Sequence, residues 1–233
     1  MNLQRPTPDK SHIYDGTIEL HSIFLTMQGE GPHAGRPAIF VRLAHCNLAC
    51  PACDTEYTQG AKKVKPQYIV DKVKELKCST NLVVITGGEP FRQHLGELVE
   101  LLVSQDFHIQ FETNGTLPPT FDTWYVGNGN VDIICSPKSR KLDKGLAEHV
   151  TAFKYVVSYL HIDVEDGLPS RVLDLKAGKI ARPPSYYTGP IYVQPMDSKD
   201  EEVNNLHLDA AIRSCMLHGY TLCLQVHKII NME

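Results

Sequence analysis

The sequence predicts an α/β chain whose strands join through helical crossovers into an open or partial β/α barrel. Three observations carry this. Strand-like apolar runs alternate with helix-periodic segments from Ile18 onward, the order that gives parallel pairing through crossovers. About eight such runs occur but fewer convincing helices, too few over 233 residues for a closed eightfold barrel. Chemically loaded segments stand directly after several of the runs, at the strand ends where such folds place their sites.

Ile18–Leu25 and Ala38–Leu43 read as strands, separated by the glycine-rich Gln28-Gly29-Glu30-Gly31-Pro32. Pro66 suits a first helical turn, and Ile69, Val70, Val73 and Leu76 follow at helical spacing. Leu82–Thr86 is a strand stopped by Gly87-Gly88-Glu89-Pro90; Leu95, Leu98, Val99 and Leu102 mark a helix, and His108–Phe111 a strand. Val131–Cys135, Phe153–Val157, Ile191–Val193 and Thr221–Val226 complete the strands. Asp200 to His218 is a helix with Ser198 and Glu201 as a capping box, Leu208, Ile212, Cys215 and Met216 as its buried stripe, and Gly219 as its stop. Residues 1–17 form an N-terminal extension, and 18–233 a single domain without repeats or a linker.

Apolar content of 42% and charged content of 21% are those of a soluble globule. A net charge of −4 argues against direct nucleic-acid binding, which needs a basic face. No signal peptide and no membrane-spanning stretch is expected. Seven cysteines, an odd count, make a disulfide framework improbable and point to the cytoplasm. Cys135, Cys215 and Cys223 sit in apolar segments and read as small core residues. His12, His33, His94, His149, His161, His207 and His218 have no partner pattern and read as surface residues.

Cys46-x3-Cys50-x2-Cys53 is the most informative segment. Structural zinc usually takes four protein ligands, and a redox dithiol takes two cysteines. Three thiolates on one loop suit a cubane iron–sulfur cluster with one iron left open for chemistry. From the loop alone, a zinc knuckle completed by His45 or a distant residue stays open. Gly87-Gly88-Glu89-Pro90 bears on the choice, because glycines let backbone approach a ligand and Glu89 with freed carbonyls can receive an ammonium group. An amino-acid-like cofactor chelating an open iron requires such an acceptor.

Together these segments resemble the radical S-adenosylmethionine superfamily. More narrowly, Thr26-Met27-Gln28-Gly29-Glu30-Gly31, the run Gly35 to Leu43, Cys53-Asp54-Thr55 and Thr86 to Pro90 resemble the 7-carboxy-7-deazaguanine synthase family. Glu112 to Thr116, Ser136-Pro137-Lys138, Gln194 to Asp197 and Gln225 to Lys228 continue the match, from about Glu19 to the C-terminus. The resemblance implies the partial barrel of the radical S-adenosylmethionine type and a lyase reaction. In it, a 4Fe-4S cluster and S-adenosylmethionine supply a radical that converts 6-carboxy-5,6,7,8-tetrahydropterin to 7-carboxy-7-deazaguanine with loss of ammonia, toward queuosine-type guanines.

Carried over by motif, Cys46, Cys50 and Cys53 ligate the cluster. Ala52, Asp54, Gly88, Glu89, Thr113 and Asn114 lie on the cofactor side, with Ser136, Pro137, Lys138 and Gln194 toward its ribose or carboxylate. Met27, Gln28, Gly29, Glu30 and Thr86 face the pterin, Arg42 its carboxylate, and Thr55 a magnesium ion. The terminal carboxylate of Glu233 is a further substrate contact by the same pattern. A homodimer and a flavodoxin- or ferredoxin-type reductant are also implied. Two departures stand out: Ala52 replaces the usual aromatic before the third cysteine, and His45 stands where glycine is common. The rival readings are another enzyme of the superfamily, such as a glycyl-radical activase, and a non-catalytic zinc or iron–sulfur protein.

Overall fold

The computed structural model describes residues 4–173, 175 and 178–232. It contains a nine-stranded open sheet flanked by helices. In chain order the elements are β1 (Ile18–Met27), β2 (Pro37–Leu43), β3 (Lys62–Val64), α1 (Pro66–Leu76), β4 (Leu82–Gly87), α2 (Gly96–Val103), β5 (His108–Thr113), α3 (Trp124–Gly127) and β6 (Val131–Cys135). Then follow α4 (Lys144–Ala147), β7 (Ala152–Val157), β8 (Ile191–Pro195), α5 (Glu201–His218), β9 (Thr221–Leu222) and α6 (Val226–Ile229). The spatial order is β3-β1-β2-β4-β5-β6-β7-β8-β9. From β2 to β9 every pairing is parallel. The partial barrel that the sequence predicts is the fold observed.

Four details differ from the sequence reading. β1 pairs antiparallel with β2, because no helix separates them and a hairpin is the short connection. The last strand is two residues long, and Val226 instead opens α6. In α5 the cap is Asp200, whose carboxylate accepts from the Val203 amide at 3.0 Å, while Ser198 donates to Asn204. The buried stripe of α5 is His207, Ala211 and Ser214, and Met216 is 81% exposed. Small and hydrogen-bonding residues win this face by what they meet there: Ser214 donates to the Gly167 carbonyl, and the Tyr159 amide donates to His207 Nδ1.

The sheet's two faces divide the protein's labour. Side chains alternate along a strand, and Ile109, Phe111, Val131, Ile133, Phe153 and Tyr155 point outward into one apolar core under the helices. The alternate positions, His108, Gln110, Glu112, Asp132 and Lys154, point into the concave interior. The open side is narrowed where the loop after β1 meets the C-terminal segment. There the Gly31 amide donates to Cys223 Sγ at 3.1 Å and the Val226 amide to the Gly29 carbonyl at 3.0 Å. A Cβ on Gly29 would lie 1.9 Å from His227 Nδ1, so only glycine permits this closure.

Residues 4–17 lie against the domain. Arg92, fully buried, donates to the Pro8 carbonyl at 3.2 Å and pairs with Glu19. Among the described residues no helix is long and apolar enough to cross a membrane, and all seven cysteines are free thiols.

Candidate active site

A cavity of about 510 Å³ occupies the concave face, and both sets of predicted site residues meet in it. Its upper rim comes from the loops after β2, β4, β5, β6 and β8, at the carboxyl ends of the parallel strands. Cys46, Cys50, Ala52, Cys53, Asp54 and Thr55 line it from the first of these loops, and Gly88, Thr113, Asn114, Ser136, Lys138 and Gln194 from the others. Met27, Gln28 and Glu30 line it lower down, and Arg42 and Thr86, the penultimate residues of β2 and β4, line it just below the rim. Because β1 runs antiparallel, Gln28 and Glu30 reach the cavity from the opposite end of the sheet to the cysteines. Gly29 and Pro137 do not line it, and Glu233 lies outside the described residues.

The cysteine loop is held from three sides. The Gly88 amide donates to the Leu43 carbonyl and the Glu89 amide to the His45 carbonyl. Cβ atoms on Gly87 and Gly88 would stand 2.0 Å from Leu43 O and 1.8 Å from His45 O, so the neighbour these glycines admit is the chain's own cysteine loop. His45 itself adopts φ 69°, the left-handed region that favours glycine. On the second side, Asn114 Nδ2 donates to Asn47 Oδ1 at 2.9 Å, and Asn47 Nδ2 donates to Thr116 Oγ1 at 2.8 Å. On the third, the N-terminal segment grips the loop: Thr7 donates twice to the Cys46 carbonyl, and Gln4 bonds both Thr55 O and the Tyr57 amide.

Glu89 is placed differently from the expectation that it meets an ammonium group in the cavity. Its side chain is fully buried beneath the rim. It accepts from Thr113 Oγ1 and the Asn114 amide, each at 2.8 Å, and from the Phe91 amide at 3.1 Å. Burial pushes its carboxyl up to about 7 despite these donors. Its visible work is to fix Thr113 and Asn114, which do line the cavity.

The donor set fits an iron–sulfur cluster. Burial pushes the Cys46 thiol up to about 12 and raises Cys50 and Cys53 as well, so these sulfurs become stable thiolates only beside a cation such as iron. Cys46 Sγ already receives the Leu48 amide at 3.4 Å. Among the described residues the one group of three His, Cys, Asp or Glu ligand atoms within 4.8 Å of one another lies elsewhere.

Beneath the cysteines lies a buried ion network that sequence reasoning missed. Lys154, 4% exposed, pairs with both Glu30 and Glu112. Gln28 Nε2 and Gln110 Nε2 donate to Glu112 Oε1 at 3.2 and 2.8 Å, and Gln225 Nε2 donates to Glu30 Oε1 at 2.7 Å. Burial would raise the Glu30 carboxyl, but Lys154 outweighs it and holds the carboxyl below the ordinary range. The available signal was alternation: HIQFET and AFKYVV place Gln110, Glu112 and Lys154 at every second position among apolar residues. Arg42 Nε is buried without a hydrogen-bond partner, and its guanidinium sits 5.1 Å from the Phe24 ring centre.

A concave half-barrel with three thiols on its first parallel-strand loop is the arrangement of a radical S-adenosylmethionine enzyme, and the family model described as the radical SAM superfamily matches residues 41–180. The crystal structure of QueE from Escherichia coli superposes with a TM-score of 0.69 over 90% of this chain and 94% of that one, at 24% identity, which shows the shared fold. The 7-carboxy-7-deazaguanine synthase of Rhodospirillum rubrum is 39% identical over 93% of both chains. That of Rickettsia prowazekii is 38% identical over 94% of this chain and 91% of its own. This chain belongs to the 7-carboxy-7-deazaguanine synthase family.

Proposed function

We propose that this chain converts 6-carboxy-5,6,7,8-tetrahydropterin to 7-carboxy-7-deazaguanine with loss of ammonia, a carbon–nitrogen lyase step in queuosine-type biosynthesis. The observation that carries the reading is the pairing of Arg42, with its unpartnered buried Nε, and the Gln28–Glu30 edge inside the cavity that the three cysteines rim. An unpaired buried guanidinium nitrogen favours an anionic partner, and a planar fork matches a carboxylate. Gln28 both donates and accepts, and Glu30 accepts, as the mixed edge of a pterin requires.

Cys46, Cys50 and Cys53 would hold a 4Fe-4S cluster, with Gly88, Thr113, Asn114, Ser136, Lys138 and Gln194 placing S-adenosylmethionine against it. When bound, these groups supply the one-electron chemistry that starts the reaction. The chain's own contribution is placement. Lys154 holds Glu30 as a carboxylate and pairs with Glu112, Arg42 anchors the substrate, and the loop after β1 closes against the C-terminal segment. Thr55, whose hydroxyl donates to Asp54 at 3.2 Å, would give one ligand to a magnesium ion that keeps most of its waters. A homodimer, a small flavodoxin- or ferredoxin-type reductant and a cytoplasmic location complete the proposal; the free thiols support the last.

The test is an anaerobic assay of the reconstituted protein with S-adenosylmethionine, magnesium, dithionite and the carboxytetrahydropterin. The deazaguanine acid should form, detected by mass spectrometry. Arg42→Ala should abolish it while iron content and 5′-deoxyadenosine formation persist. Wild-type protein that makes 5′-deoxyadenosine but no deazaguanine would overturn the substrate assignment, and unchanged turnover by Arg42→Ala would remove that residue's role.

A further inference from the structure

His33, His108 and Asp132 converge at the end of the half-barrel opposite the cysteine loop. His108 opens β5, Asp132 is the second residue of β6, and His33 comes from the loop joining β1 to β2. None of them lines the active-site cavity. Asp132 Oδ2 receives His33 Nε2 at 2.7 Å and His108 Nε2 at 2.8 Å, and the two imidazole rings stand nearly perpendicular with centres 5.3 Å apart. All three ligand atoms lie within 4.8 Å of one another. His33, which the sequence read as a surface residue, is only 16% exposed at its side chain.

We propose that His33, His108 and Asp132 form a second metal site, one that binds zinc and bolts the floor of the half-barrel. Two imidazoles and a carboxylate are a borderline-soft N/O donor set suited to zinc. Tetrahedral zinc holds such ligand atoms roughly 3.3 Å apart, so each nitrogen–oxygen separation needs to widen by only about half an ångström. The fourth position falls to solvent, since all three side chains keep an exposed edge of 16 to 24%. The site joins segments 75 and 99 residues away from His33, so a bound ion would cross-link the hairpin loop to two central strands. It is independent of the reaction proposed above.

Arg36 opposes the ion. Its Nη1 stands 2.9 Å from His33 Nδ1, and since arginine only donates, that nitrogen accepts and the ring proton sits on Nε2. Zinc on Nε2 moves the proton to Nδ1, which then needs an acceptor. Arg36 is exposed and can turn away.

The test is calorimetric titration of zinc into the cluster-loaded protein, so that the cysteines are already occupied, with X-ray absorption at the zinc edge and a melting curve. One equivalent should bind through nitrogen and oxygen alone and raise the melting temperature. Asp132→Asn and His108→Ala should weaken binding by more than about tenfold, and Arg36→Gln, which supplies an amide oxygen, should tighten it by about tenfold. No binding, sulfur in the zinc shell, an affinity unchanged by Asp132→Asn, or weaker binding by Arg36→Gln would each overturn the proposal.

Discussion

Replacing Lys154 by methionine removes the one cation that, among the described residues, pairs with both Glu30 and Glu112, while nearly keeping its volume. In the native protein Glu30 sits below its ordinary pKa, so the pair contributes stability above the unfolded carboxylate range and loses it only as pH falls through the depressed native value. Without Lys154 the sign reverses. Burial, the largest influence on Glu30, then pushes its carboxyl up, and two carboxylates, each 17% exposed at its side chain, are left facing each other. Breaking a buried pair from one side costs about 3–5 kcal/mol, a large share of the roughly 5–15 kcal/mol that holds a domain together. Urea unfolding of both proteins should show this gap near pH 8, narrowing toward about pH 5 as the stranded carboxyls take up protons. Adding Glu112→Gln to Lys154→Met should recover part of it. A gap below about 1 kcal/mol, the worth of an exposed pair, or one that does not change with pH, would refute the view that Lys154 is the keystone of this floor.

Two further outcomes follow from the loops above it. Gly88→Ala sets a methyl 1.8 Å from the His45 carbonyl, a backbone atom that cannot yield cheaply; iron incorporation should fall several-fold while far-ultraviolet circular dichroism stays native. Glu89 has its folded pKa raised to about 7, so its contribution to stability is full below its ordinary value of 4.5 and is lost as pH rises toward 7. Glu89→Gln should flatten that part of the stability–pH curve and cost about 1–2 kcal/mol near pH 5, because the amide nitrogen cannot accept from Asn114 or Phe91; an unchanged slope in denaturant melts counts against it.

The sequence by itself determined the fold class, most strand positions and the family. Those signals are local: apolar runs that end in Gly87-Gly88 or Ser136-Pro137, and cysteines spaced on one short loop. A loop's ligands are neighbours in sequence as well as in space, so their spacing is legible without coordinates. What only the tertiary structure decided is what distant positions do to one another. Lys154 reads as an ordinary charge in a strand until β7 turns it toward Glu30 and Glu112. Gly88 reads as a ligand cradle until the fold presses it on His45, and Glu89 as an open acceptor until three donors enclose it. His33 reads as a surface residue until β5 and β6 bring His108 and Asp132 beneath it. Electrostatic roles depend on through-space distance and burial, which closing the half-barrel sets and which no local pattern encodes.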